Sequence, residues 1–262
     1  MEHRPNQVEV WTVFADRIQD PELISRYRVL MSADEREREA RFHSAVDRHR
    51  YLVTRALTRT TLSLYRPDIP PNAWSFRANA YGRPRITNAE VGSIDFNVSH
   101  SGNVVALAVG NALEIGFDLE VIADRSPPIE LANEFFAMKE AASLRSLPPA
   151  AQAMRFLELW TLKESFIKAC GKGFSIPPDK FSFDLDPSGS ICFDAEEDVG
   201  SAGREWQFIQ FLIPEVAVFA LCTEYRGVGV DIGLNNAVPL LMTKPLHCRR
   251  LRRSHRPHAV NE

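Results

Sequence analysis

Hydrophobic positions change period several times along the chain, and each change predicts an element. Val8, Val10, Thr12 and Phe14 alternate with their neighbours, the two-residue period of a strand. Ser32 and Glu35 then form an S-x-x-E capping box, which predicts a helix from about Met31. Leu52, Ala56, Leu57, Thr60 and Leu64 recur at helical spacing, so a second helix with Asp47 as its N-cap and Pro67 as its stop is expected to face a core.

From Ile94 to Val121 the texture shifts to short β-branched runs punctuated by Gly102, Gly110 and Gly116, which reads as an antiparallel meander. A helical middle follows, and its strongest member is predicted over Ala151 to Cys170 with Gly171 as the C-terminal stop. Further strands are expected at Phe181 to Leu185, Ile191 to Phe193, Trp206 to Ile213 and Val216 to Cys222. This order of helices, strands, helices and strands indicates an α+β fold of two halves rather than a doubly wound parallel sheet. Val104 to Val109 leads into Ile115-Gly116-Phe117-Asp118 much as Val216 to Leu221 leads into Val228-Gly229-Val230-Asp231, either a true internal duplication or the chance likeness of apolar strand pairs. The expected boundaries are a half over residues 1–112, a half over 113–225, and a disordered basic tail over 226–262 carrying Lys244, Arg249, Arg250, Arg252, Arg253 and Arg256.

Composition narrows the function classes. With 262 residues, 45% hydrophobic and 25% charged, the chain can bury one large core or two small ones. The net charge of -3 provides no global basic field for nucleic acid or an anionic membrane, so an anion site must be local. Cys170, Cys192, Cys222 and Cys248 are scattered, without a C-x-x-C pair or histidines at zinc spacing, and point to a reduced, cytoplasmic setting. No leader pattern and no apolar stretch of about 20 residues is present, so neither secretion nor membrane insertion is expected.

Three segments carry candidate chemistry, each with a plainer alternative. In Ile115-Gly116-Phe117-Asp118-Leu119-Glu120, strand alternation puts both carboxylates on one face. They suit a hard cation such as Mg²⁺, or they form an ordinary polar strand edge. Within the long helix, Glu164 and Lys168 lie about 40° apart on the wheel. They present a carboxylate and an ammonium to one site, or they are a surface i,i+4 pair, with Lys163 snorkelling from the apolar side. Phe96-Asn97-Val98-Ser99-His100-Ser101-Gly102 reads as a strand entering a glycine turn that either cradles a phosphate or is turn chemistry alone. A Ser-His hydrolase dyad is disfavoured, because Ser99 and His100 are neighbours and point apart. Tyr81-Gly82-Arg83-Pro84 adds a cation on a stiff turn, and Arg36, Arg38 and Arg41 add cations on the first helix.

Taken in order, G-R-P (Gly82 to Pro84), F-N-V-S-H-S (Phe96 to Ser101), I-G-F-D-L-E (Ile115 to Glu120) and W-T-L-K-E-S-F-I-K-A-C-G-K-G (Trp160 to Gly173) resemble the 4′-phosphopantetheinyl transferases, in their long (Sfp-type) branch. The family patterns are G-K-P, F-N-x-S-H, G-x-D-x-E and W-x-x-K-E-(S/A)-x-x-K. The resemblance covers about residues 30 to 185 and implies a monomer of two similar α+β halves with mostly antiparallel sheets in a pseudo-two-fold arrangement, with coenzyme A in the cleft between them. It implies transfer of the 4′-phosphopantetheine arm of coenzyme A to a serine of an apo acyl or peptidyl carrier protein, with release of 3′,5′-ADP. By the same resemblance Asp118, Glu120 and Glu164 hold Mg²⁺ and Lys168 contacts the phosphates. The charge on the pyrophosphate makes Lys168 catalytic as well, and Glu164 is the expected catalytic base for the serine proton, directly or through a metal-bound water. Asn97, Ser99 and His100 bind coenzyme A, Gly82, Arg83 and Pro84 lie beside its adenine nucleotide, and Arg38 takes the 3′-phosphate. Glu35 stands where the family often has a basic residue, and Arg83 replaces the lysine of G-K-P. A different Mg²⁺-dependent phosphohydrolase and a non-catalytic module with a nucleic-acid-binding tail are the rival classes. Phe135, Phe136, Met138 and Lys139 are candidates for carrier docking, with core packing as the alternative for the two phenylalanines.

Overall fold

The computed structural model describes residues 6–89, 91–111, 114–122, 129–196, 199 and 203–254. In chain order, β1 (Gln7–Phe14) leads to α1 (Pro21–Leu30), α2 (Ala33–Ala40) and α3 (Ala45–Tyr65). Strands β2 (Phe76–Ala78), β3 (Pro84–Ile86), β4 (Ile94–Ser101), β5 (Val104–Asn111) and β6 (Ile115–Val121) follow. The helical middle is α4 (Ala132–Phe135), α5 (Met138–Ser146) and α6 (Pro149–Cys170). The chain then forms β7 (Phe181–Leu185), β8 (Ser190–Ala195), β9 (Trp206–Ile213), β10 (Ala217–Glu224), β11 (Asp231–Val238), β12 (Met242–Pro245) and β13 (Arg249–Ser254).

Local chemistry sets the helix ends. The Ser32 side chain accepts from the Glu35 amide and the Glu35 carboxylate accepts from the Ser32 amide, so the predicted capping box starts α2. The cap of α3 differs from expectation: Ser44, three residues before Asp47, accepts from the Asp47 amide, and the helix begins at Ala45. Tyr65 ends it just ahead of Pro67. Gly171, at φ 65°, closes α6 in the left-handed conformation that glycine adopts without strain.

The chain divides into two compact units. The first comprises Met1–Asn79, Pro84–Ala112 and Asp231–His247. Its five-stranded sheet has the order β12-β11-β1-β5-β4, with β1 and β11 parallel and the other pairs antiparallel. Helix α3 supplies Leu52, Val53, Ala56, Leu57 and Leu62 to a core with Trp11, Val13, Phe96, Val105 and Leu107. Two buried aromatic tips are satisfied as burial requires: Trp11 Nε1 donates to Tyr65 Oη at 3.0 Å, and Tyr27 Oη donates to the Pro239 carbonyl at 3.0 Å.

The second unit comprises Ala80–Arg83, Leu113–Val230 and Cys248–Glu262. Its six-stranded sheet has the order β6-β10-β9-β13-β8-β7, again antiparallel except for β13 with β8. Helix α6 lies on β6, β10 and β9 over an aromatic core of Phe166, Phe181, Phe183, Phe193 and Phe208. The fold is therefore α+β, as read from the order of elements, with the mostly antiparallel sheets that the resemblance implies.

Two expectations are corrected. Ile94 to Val121 is not one meander: β4 pairs with β5, whereas β6 joins the other sheet and pairs with β10. The expected disordered tail instead contributes three strands. In β13, Arg252 Nη1 donates to the Asp186 carbonyl at 2.8 Å and its Nη2 lies 3.3 Å from Glu158, so this arginine is consumed within the fold. Arg256 lies outside the described residues, as does the expected boundary at 112/113. Among the described residues no helix is long and apolar enough to cross a membrane.

Candidate functional site

The acidic segment and the long helix meet at a glycine. A Cβ added to Gly116 would lie 1.8 Å from the Ser165 carbonyl oxygen and 2.3 Å from the Ala169 amide nitrogen, so β6 and α6 touch backbone to backbone there. Gly116, Asp118 and Glu120 are two residues apart, and all three therefore face α6. Ile115, Phe117 and Leu119 face the other way and are fully buried, as the alternation predicts. On α6, Glu164 and Lys168 directly precede Ser165 and Ala169, the two residues at the contact, so each turn sets one charged side chain beside the strand. Lys168 Nζ reaches Asp118 Oδ1 at 2.6 Å.

The electrostatics follow from this crowding. Asp118 is only 4% exposed, although it is ionisable. The Glu164 carboxyl is pushed up to about 7, first by burial, then by the negative charge of Asp118 and further by Glu120, with the Lys168 ammonium opposing. Two carboxylates beside a third, Glu164, whose charge they oppose, form a donor set suited to a hard divalent cation. Among the described residues, no three Asp, Glu, His or Cys side chains are already drawn to ligand distances around one point. In this arrangement the Lys168 ammonium supplies the positive charge beside Asp118.

Arg83 belongs to the same region but does not stand as an open phosphate ligand. It is 8% exposed; Nη1 donates to the Lys168 and Ala169 carbonyls at 2.7 and 3.0 Å, and Nη2 donates to the Ile115 carbonyl at 2.8 Å. Gly82, at φ 87°, makes the turn in front of it, with open space where a Cβ would sit, and Pro84 begins β3.

The other expected coenzyme A residues, Arg38, Pro84, Asn97, Ser99 and His100, lie in the first unit. Arg38 lines a shallow depression with Asp34, Glu37, Arg41 and Phe42, and its guanidinium lies 5.8 Å from the Tyr51 ring centroid. Strand β4 continues through Ser101, so Ser99 and His100 sit in the ladder rather than at the bend. Asn97 and Ser99 are buried on one face and His100 is exposed on the other, consistent with side chains that point apart. Glu35 is fully engaged: besides capping α2 it pairs with Arg55 and, at 2.8 Å, with buried Arg59. A basic residue at this position would leave both arginines without their carboxylate.

One cluster escaped the sequence reading. Lys163 does not snorkel; it is 2% exposed, and Nζ lies 2.8 Å from Glu140 Oε2 while donating to the Pro178 and Phe181 carbonyls at 2.7 Å each. Glu140 in turn accepts from the Phe183 and Ala137 amides at 2.8 Å. A lysine on the apolar side of a helix was the available signal, but its partner lies 23 residues away on α5. Of the docking candidates, Phe136 is buried against Phe156 and Phe135 meets Trp160 edge-on, whereas Met138 is 90% exposed and Lys139 is exposed beside it.

Comparison with known proteins agrees with this geometry. A family model described as the 4′-phosphopantetheinyl transferase superfamily matches residues 114–222, and one described as 4′-phosphopantetheinyl transferase, N-terminal, matches residues 19–112. A 4′-phosphopantetheinyl transferase of Bacillus subtilis is 35% identical over 188 residues, covering 71% of this chain and 81% of the relative. The 4′-phosphopantetheinyl transferase Sfp of Bacillus subtilis strain 168 is 33% identical over 193 residues, covering 71% and 81%. The 4′-phosphopantetheinyl transferase HetI of Nostoc sp. is 33% identical over 172 residues, covering 65% and 71%. With its acidic strand and its Glu164–Lys168 helix built as one contact, the chain belongs to the 4′-phosphopantetheinyl transferase family, in the long, Sfp-like branch.

Proposed function

We propose that this protein transfers the 4′-phosphopantetheine arm of coenzyme A to a serine of an apo acyl or peptidyl carrier protein, releasing 3′,5′-ADP. The observation that carries the reading is the Lys168–Asp118 contact at 2.6 Å beside a Glu164 carboxyl held near neutrality. In the reaction the serine Oγ forms a bond to the β-phosphorus of coenzyme A. The bond from that phosphorus to the oxygen bridging to the 5′-phosphate breaks, and the serine proton passes to a base.

Asp118, Glu120 and Glu164 are the residues that would hold Mg²⁺, and the bound ion would supply neutralising charge to the pyrophosphate oxygens. Lys168 would meet the same phosphates and stabilise the leaving oxygen. Glu164 is the base we assign to the serine proton. Asn97, Ser99, His100 and Arg38 are assigned to coenzyme A, together with the main chain of Gly82 to Pro84. Exposed Met138 and Lys139 are assigned to carrier docking. We read the protein as a cytoplasmic monomer.

The test is intact-mass spectrometry of an apo carrier protein incubated with the protein, coenzyme A and Mg²⁺, with and without EDTA. A metal-dependent gain of one phosphopantetheine arm that disappears in Asp118→Ala is expected. Absence of that gain across acyl and peptidyl carriers of several kinds would overturn the reading. Glu164→Gln turning over like wild type would remove Glu164 from the role of base.

A further inference from the structure

We propose that Arg83 is a positioning residue, a guanidinium brace that holds the end of α6 against the start of β6 and so sets Lys168 and Glu164 opposite Asp118 and Glu120. The inference rests on the proposed function, in which Lys168 meets the reacting phosphates and the three carboxylates hold Mg²⁺.

Its two terminal nitrogens do different work. Nη1 binds the Lys168 and Ala169 carbonyls in the last turn of α6, where the Lys168 carbonyl also accepts from the Gly171 amide at 3.1 Å. Nη2 binds the Ile115 carbonyl at the first residue of β6, the edge strand of its sheet. A buried cation at a helix C-terminus also meets the negative end of the helix dipole. Glu114 Oε2, 3.7 Å from Nη1, adds a partly exposed counter-charge.

The brace acts where a small displacement has the largest effect. One residue beyond Ile115 is Gly116, whose backbone contacts Ser165 and Ala169 without room for a methyl group. Helix and strand are thus pressed together at one point by the absence of a side chain and tied at the next by Arg83. One of the two carbonyls that Arg83 holds on the helix is that of Lys168, the residue whose Nζ lies 2.6 Å from Asp118. If the tie were lost, the end of α6 would move as a unit and Lys168 with it, and misplacement of about 1 Å in such a site costs on the order of a hundredfold in rate. Lysine, as the family pattern has here, offers one ammonium and cannot span the helix end and the strand with a planar two-nitrogen fork.

The test uses full-length Arg83→Lys and Arg83→Met, checked for folding by circular dichroism. Each is assayed for transfer from coenzyme A and from 3′-dephospho-coenzyme A, and each is compared with wild type by amide hydrogen exchange. A positioning role predicts kcat lower by about tenfold or more, KM for coenzyme A unchanged within about twofold, the same loss with both donors, and faster exchange confined to the amides from 115 to 118 and 166 to 171. A rise in KM for coenzyme A that is absent with the dephosphorylated donor would instead make Arg83 a phosphate ligand and overturn the proposal. So would wild-type kcat, wild-type exchange in those segments, or failure of both variants to fold, which would make the brace an element of stability alone. If wild type transfers the arm to no carrier, the functional reading fails, and the exchange measurement still decides whether Arg83 ties α6 to β6.

Discussion

At the scale of single residues, the site is a problem of unfavourable charge. Glu164 ionises near pH 7 rather than near 4.5 because burial and Asp118 both oppose its charge. Its folded pKa is raised, so between about pH 4.5 and pH 7 the folded protein keeps a proton that the unfolded chain has released. Stability of the metal-free protein should therefore fall as pH rises through that window and level off above it. Melting temperatures in EDTA across this range should show the slope, Glu164→Gln should flatten it, and excess Mg²⁺ should reverse it; a flat wild-type profile would mean that burial and the neighbouring carboxylates do not raise the Glu164 carboxyl. The residue types of this site were legible, since two carboxylates two apart on a strand and a carboxylate and lysine four apart on a helix each present one face. The uses of Arg83 and Glu35 were not. Both serve backbone carbonyls or arginines distant in the chain, and no local period encodes such partners.

At the scale of elements, α6 is held by polar anchors on two sides. Arg83 ties its end to β6, and the buried Lys163–Glu140 pair ties its middle to α5 and to the start of β7. Burial lowers the proton affinity of Lys163 and raises that of Glu140, while each partner's charge opposes the shift of the other. Removing one partner leaves an uncompensated buried charge, so Lys163→Met should destabilise the protein by about 3–5 kcal/mol. In urea titrations the Lys163→Met/Glu140→Leu double variant should lose less than the sum of the two single losses, because it leaves neither charge alone; simple additivity would show that the pair is not coupled. The capping box at Ser32 and the glycine stop at Gly171 were readable because helix-end chemistry is local. The start of α3 was misplaced because Ser44 and Asp47 are both competent caps, and the sequence alone does not choose between them.

At the scale of the whole molecule, the residues after Val230 change the picture most. β11 extends the first unit's sheet alongside β1, and β13 lies between β9 and β8 inside the second unit's sheet. A chain ending at Val230 would lose an interior strand that joins the β7–β8 hairpin to the rest, so its melting midpoint should drop by about 10 °C or more; an unchanged midpoint in a thermal scan would show that these strands are dispensable. The sequence by itself determined the α+β class, most strands, the long helix and the acidic and basic residues that share its face. Those features rest on side-chain periods of two and 3.6 and on end signals within a few residues. Only the tertiary structure decided that β6 leaves its neighbours to pair with β10, that a basic tail becomes strands, and that Arg83 and Lys163 are anchors. Sheet partners and buried ion pairs are chosen by hydrogen bonding and desolvation between segments far apart in the chain, and a linear pattern carries no record of that choice.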